Sequence, residues 1–364
     1  MIGVPPAKVA GRLATLRACD LLERVARWGA VLEQLASAAG QGGGQVVARL
    51  RARLASITDR LAGSWTDVPR LLEGDSQGAE GIAGSCAGAA EDLRRLEQAL
   101  RKLPGLPVRA EVYQFLSEQA GDGAIPPVIL VPEDQDLDDD GFLALPIAQV
   151  AAPLAWPRLV FGLVAARSPG VAEPAARDLA AARLVGPAYL FSLLERGVHG
   201  QVPGLADRAA GVATDLATRG ALYPELGNLL ATCGVPGDWA AAEPGAAEAI
   251  VAARLADDVL ASARPTEDFA RIRAARERVL QDPAAGAEAV YGALAGLREE
   301  PLSGAQILAG AWLFRERSRV GWLREAAAGA DPWEAYGRRV LQLDSLVLKS
   351  LETASVHRHL GVRE

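Results

Sequence analysis

"PLAWPRLVFGLVAARSPG", residues 153–170, decides how the middle of this chain is read. A Trp-Pro turn leads into a short apolar run, which Ser168-Pro169-Gly170 then cuts. Proline presets the turn and cannot continue a helix, so the spacing predicts one helix over about 154–167. On its residues alone, "LVFGLVAA" is a buried helix with a glycine at a close contact. Its setting raises a second reading, because short β-branched stretches precede it and another helix follows.

Those preceding stretches are "IPPVILVP" (125–132) and "FLALPI" (142–147), bounded by prolines and predicted as strands. Between them "DQDLDDDG" (134–141) is read as a solvated hairpin turn. It lacks the Asp-x-Asp-x-Asp-Gly order and the Glu at the twelfth position that a calcium loop needs.

Upstream, the first hundred residues carry a helical period. Leu21, Val25, Trp28, Leu32 and Leu35 step by four and three, as do Val47, Leu50, Leu54, Ile57 and Leu61. Ile82, Cys86, Ala89, Leu93, Leu96, Leu100 and Leu103 continue the pattern on a third segment. Each is a seam of a and d positions. "GQGGG" (40–44) and "GDSQG" (74–78) break the seams. The expected object is an antiparallel three-helix bundle over residues 1–105, either plain packing or a partner-docking arm. Arg49, Arg51, Arg53 and Arg60 are read as the solvated face of its second helix.

Downstream of residue 170, Pro and Gly divide the chain into helices near 171–196, 204–219, 222–233, 246–262, 266–280, 284–299, 303–326 and 331–360. The expected fold is mainly α with a small central β-sheet (α+β). The bundle precedes a core over 106–235, and a helical region over 236–364 packs back on it.

The net charge of −7 argues against nucleic acid as a partner. No uncharged apolar stretch has membrane-span length, and "MIGVPPAKVAGRLATLR" has no leader-like apolar core, so a cytoplasmic location is expected. Cys19, Cys86 and Cys233 lack metal-type spacing and are read as buried thiols in a reducing compartment. "GQGGG" is no phosphate loop, and no Gly-x-Ser-x-Gly elbow occurs. His357 and His359, two apart, fall on different faces of a helix, which suits a metal poorly.

"PLAWPRLVFGLVAA" followed by "EPAARDLAAARLVGPAYLFSLL" resembles a poorly characterised group of bacterial and archaeal zinc peptidase-like proteins of the HExxH class. The shared frame is Pro153, Trp156, Pro157, Leu159, Leu163, Asp178, Leu179, Gly186, Pro187, Ala188 and Tyr189. "VHGQVPGLADR" (198–208) is similar to the group's His-Pro-x-x-x-x-Arg segment, and "LDSLVLKSLE" (343–352) to its final helix. In such proteins two His, four apart, hold zinc and a Glu between them activates water. Here Phe161, Gly162 and Ala165 stand at those positions, and Pro174 at the third ligand, with Glu173 one residue early. None of Phe, Gly, Ala or Pro can ligate a metal. Asp178 alone remains, at a position that orients a ligating His. Deprived of that His it needs a cation, expected from Arg158 or Arg183.

The resemblance implies a degenerate, non-catalytic zincin-like protein, without cofactor or metal, that binds a protein partner in a larger assembly. Trp156, Glu173, Tyr189 and His199 would line its former cleft. The alternatives are a hydrolase with relocated ligands, drawing on Glu173, Asp178 and His199, or a purely helical interaction module. Trp312, Phe314, Trp322 and Trp333 are candidate anchors for a partner surface.

Overall fold

A computed structural model describes residues 6–38, 41–63, 67–72, 76–101, 154, 157, 174–198, 202–237, 239, 303–329 and 332–359. These residues form α1 (Pro6–Ala38), α2 (Gln41–Gly63), α3 (Val68–Leu72), α4 (Ser76–Arg101), α5 (Pro174–Val185), α6 (Pro187–Val198), α7 (Leu205–Thr218), α8 (Pro224–Thr232), α9 (Gly304–Ala328) and α10 (Pro332–His359).

This overturns the expected α+β class. The described residues are 90% helical and contain no strand. The physical reason is that each apolar stripe among them is covered by another helix, so the core closes by helix-on-helix packing alone. The expected strands at 125–132 and 142–147 lie outside the described residues, as does the helix expected over about 154–167 apart from Leu154 and Pro157.

The N-terminal seams pack as their spacing predicts. Leu21, Val25, Trp28 and Leu32 of α1 are buried, together with Val47, Leu50, Leu54, Ile57 and Leu61 of α2 and Ile82, Cys86, Ala89, Leu93 and Leu96 of α4. The three helices pack on one another. Each buried Leu or Ile contributes roughly 1.5–3 kcal/mol. Gly88 of α4 leaves room for a neighbour: a Cβ there would sit 3.3 Å from Nη1 of Arg60, which reaches Asp92 at 2.5 Å.

α1 also packs against α6 and α10, so the bundle and the C-terminal helices share one core. α9 reaches α1 through charged side chains, Arg315 and Arg319 pairing with Glu23. α9 is buried on all sides from Ile307 to Arg315. It starts with a reciprocal cap: Gln306 N–H donates to Ser303 Oγ at 3.2 Å, and Ser303 N–H to Gln306 Oε1 at 2.9 Å. Phe191 of α6 stacks on Trp312 with ring centres 5.7 Å apart. Trp312 Nε1–H donates to the carbonyl of Leu154 at 3.1 Å, which ties Leu154 to α9.

Candidate functional site

Among the charged side chains that the described residues bury, two groups are the most fully paired. The first is built by a single glycine turn. Gly186 adopts a left-handed conformation (φ 63°) between α5 and α6, and Pro187 opens the next helix. A left-handed end followed at once by Pro reverses the chain sharply. Tyr189 is thereby folded back beside Asp178, its hydroxyl donating to Oδ1 at 2.5 Å. From the first turn of α7, Arg208 donates Nε–H to Oδ2 at 2.6 Å and Nη2–H to Oδ1 at 3.0 Å. Asp178 is 0% exposed, so its charge is neutralised by a fork of two parallel bonds rather than by water. Burial, and then the charge of Asp178, raise the Tyr189 phenol well above its ordinary pKa, so it remains a donor.

The expected cation partner was Arg158 or Arg183, and this is corrected. Arg183 faces solvent and meets Asp215 at 3.4 Å. It stands five residues after Asp178 on the same helix, about 140° round from it, so it cannot reach the buried face. Arg158 lies outside the described residues.

The second site joins α1, α6, α9 and α10. Glu23, 0% exposed, accepts from Arg315 Nε at 2.7 Å and from Arg315 Nη2, from Arg319 Nε at 3.4 Å and from the hydroxyl of Tyr336 at 3.1 Å. Glu195 accepts from Nη2 of both Arg315 and Arg319. Arg27 forms a two-point bond to Asp344, at 2.8 and 3.1 Å. Arg315 also lies 4.6 Å over the ring of Trp312. Burial raises the Glu23 pKa, but Arg315, Arg319 and Arg27 outweigh it and hold the carboxyl below its ordinary value. The Tyr336 phenol is raised well above 10, by burial first and then by Cys19 and Glu23.

Of the residues singled out from sequence, Tyr189 and Asp178 come together. Pro174 is the first residue of α5. Phe161, Gly162, Ala165, Glu173, Trp156 and His199 lie outside the described residues. The expected anchor surface is corrected for three of its four members. Trp312, Phe314 and Trp322 are core: Trp322 meets Phe314 and Tyr336 edge-on, at 5.7 and 6.3 Å. Trp333 lies in the first turn of α10.

The residues missed from sequence are Arg208, Glu23, Glu195, Arg315, Arg319 and Tyr336. A signal was present. Glu23 and Arg27 interrupt the apolar run "CDLLERVARW", and Arg315, Glu316 and Arg319 interrupt "ILAGAWLFRERSRVGWL". Charges set among core positions are paired more often than solvated.

Chemically, both sites spend carboxylate lone pairs on guanidinium and phenol donors. Among the described residues no group of three or more His, Cys, Asp or Glu is arranged to hold a metal ion. No helix of the described residues is long and apolar enough to cross a membrane. Comparison with protein-family models, with curated proteins and with solved structures finds no match to this chain.

Proposed function

We propose that the chain is a non-catalytic helical protein that works by binding, as a scaffold subunit of a cytoplasmic assembly. The observation that carries this reading is the state of Asp178. A buried carboxylate that accepts three bonds from Arg208 and Tyr189 has its charge balanced by the guanidinium and most of its lone pairs occupied, which leaves it poorly disposed to orient a metal-ligating His or to act as a ligand itself. The resemblance to a degenerate zinc peptidase draws support from the same place: its frame residues Asp178 and Tyr189, and Arg208 at the end of "VHGQVPGLADR", meet in one ion-paired centre. The all-helical make-up of the described residues favours, more weakly, an interaction module without that ancestry.

A hydrolase built on Glu173, Asp178 and His199 would have to break the pair with Arg208 first, at a cost of about 3–5 kcal/mol. The long bundle suits a scaffold. Helices of 33, 23 and 26 residues are about 50, 35 and 39 Å long, and α2 and α4 carry exposed side chains along their outer faces. The test is affinity purification of the tagged chain from its host, followed by native mass spectrometry and a peptide-hydrolysis assay with and without chelator. The expected result is a partner in fixed stoichiometry and no chelator-sensitive hydrolysis. Hydrolysis that a chelator abolishes would overturn the proposal.

A further inference from the structure

α2 carries four arginines and a single carboxylate, Asp59, in a chain whose net charge is −7. Arg49, Arg51 and Arg53 are exposed, and none of them meets a carboxylate among the described residues. Neighbouring surface arginines differ. Arg60, further along α2, pairs with Asp92 of α4 at 2.5 Å, and Arg94 and Arg95 of α4 pair with Glu91. Arg49 and Arg53 stand one turn apart on α2, so their like charges weaken the helix rather than support it. The fold draws no compensating ion pair from these three side chains.

The same helix has two seams. The buried one, Val47 to Leu61, packs against α1 and α4. On the opposite side Gln45, Ala48, Ala52, Ala55, Asp59 and Ala62 also step by three and four, and all six are exposed. Written as heptads, these six fill the a and d positions, which places Arg49 at an e position and Arg51 at a g position. Alanine at a and d lets a second helix approach closely, and residues at e and g select that helix by charge. Arginines at those flanks match glutamates and reject lysines. A second copy of α2 supplies no carboxylate at e or g, so the complementary helix is a different one.

We propose that the outer face of α2 is the docking seam for an acidic amphipathic helix of the partner protein, an inference that rests on the scaffold reading above. Charge complementarity carries it: the unpaired arginines flank the exposed seam on both sides. A nucleic acid fits less well, because the net charge of the chain repels it and a row of alanines offers nothing to a phosphate backbone. The pairing is between exposed charges, so salt weakens it, and reversing the charge at Arg49 and Arg51 inverts the choice of helix.

The experiment measures, by fluorescence anisotropy at low salt, the binding of two labelled peptides to the full chain. Both are about four heptads long with Ala at a and d; one has Glu at e and g, the other Lys. The parent is expected to bind the Glu peptide and not the Lys peptide. The double variant Arg49→Glu with Arg51→Glu is expected to bind the Glu peptide about tenfold more weakly, as two exposed pairs turn from attraction to repulsion, and to favour the Lys peptide. Equal binding of the Glu peptide by parent and variant, no binding by the parent, or tighter binding of duplex DNA than of the Glu peptide would overturn the proposal. If circular dichroism shows that the charge-reversed chain does not fold, Arg49→Gln with Arg51→Gln decides: weaker binding of the Glu peptide supports the seam, and unchanged binding refutes it. Purifying the tagged charge-reversed chain from its host separates the proposal from the reading beneath it. A partner that stays bound refutes the α2 seam alone, whereas a parent chain that emerges without a partner refutes the scaffold reading and the seam with it.

Discussion

Replacing Arg208 by Ala removes the cation from a carboxylate with no access to water. In the folded chain Arg208 contributes two bonds to Asp178, at 2.6 and 3.0 Å, and its own side chain is only 8% exposed. Tyr189 remains, at 2.5 Å, but a phenol donor does not cancel a charge. A buried pair broken on one side costs about 3–5 kcal/mol, because the surviving charge is left uncompensated. That is a large share of the roughly 5–15 kcal/mol by which native proteins are stable. Adding Asp178→Ala to Arg208→Ala removes the stranded charge, so the double variant is expected to be more stable than Arg208→Ala alone. Its residual deficit is the lost packing. Tyr189→Phe removes one hydrogen bond to a charged acceptor and is expected to cost about 1.5–3 kcal/mol. Urea unfolding followed by circular dichroism measures all of these at pH 7. An Arg208→Ala variant within about 1 kcal/mol of the parent, or a double variant less stable than both singles, would refute the assignment of a buried, Arg-neutralised Asp178.

Trp312→Ala removes a buried ring stacked on Phe191 and its hydrogen bond to Leu154, so a loss of about 3–5 kcal/mol is expected in the same assay; a loss under 1 kcal/mol would return Trp312 to the surface. Gly186→Ala forces an L side chain into the left-handed region (φ 63°) and is expected to cost about 1–2 kcal/mol, whereas a neutral effect would mean that α5 and α6 do not turn there. Burial raises the thiols of Cys19, Cys86 and Cys233 to about 11, 12 and 11. Thiolate-directed labelling at about pH 8 is therefore expected to be slow in the folded chain and rapid once it is unfolded. Fast stoichiometric labelling of the folded chain would contradict their burial.

The bundle seams were legible because a spacing of three and four residues reports directly which face is buried, and Val47 to Leu61 of α2 follow it without exception. The start of α9 was legible for a local reason too, since Ser303 and Gln306 form a cap within one turn. The charged sites were not, because their partners are distant in sequence: Glu23 lies 292 residues from Arg315, and Arg27 lies 317 from Asp344. Periodicity assigns a residue to a face, but it does not say which charge from another helix arrives there. Asp178 shows the same limit at shorter range. Its own helix offered Arg183, which the turn of the helix carries to solvent, while Arg208 reaches it only after two further reversals of the chain. The α+β expectation rested on the proline-bounded stretches 125–132 and 142–147, which lie outside the described residues, whereas the described residues close their core with helices.

Zinc content by elemental analysis, on the full chain purified without chelator and dialysed, tests the central claim most directly. That claim is that arginine and tyrosine, rather than a metal ion, hold the acid retained at residue 178. The account predicts zinc well below one equivalent per chain, unchanged by Asp178→Asn. One tightly held equivalent, lost in Asp178→Asn or on mutation of His199, would contradict it.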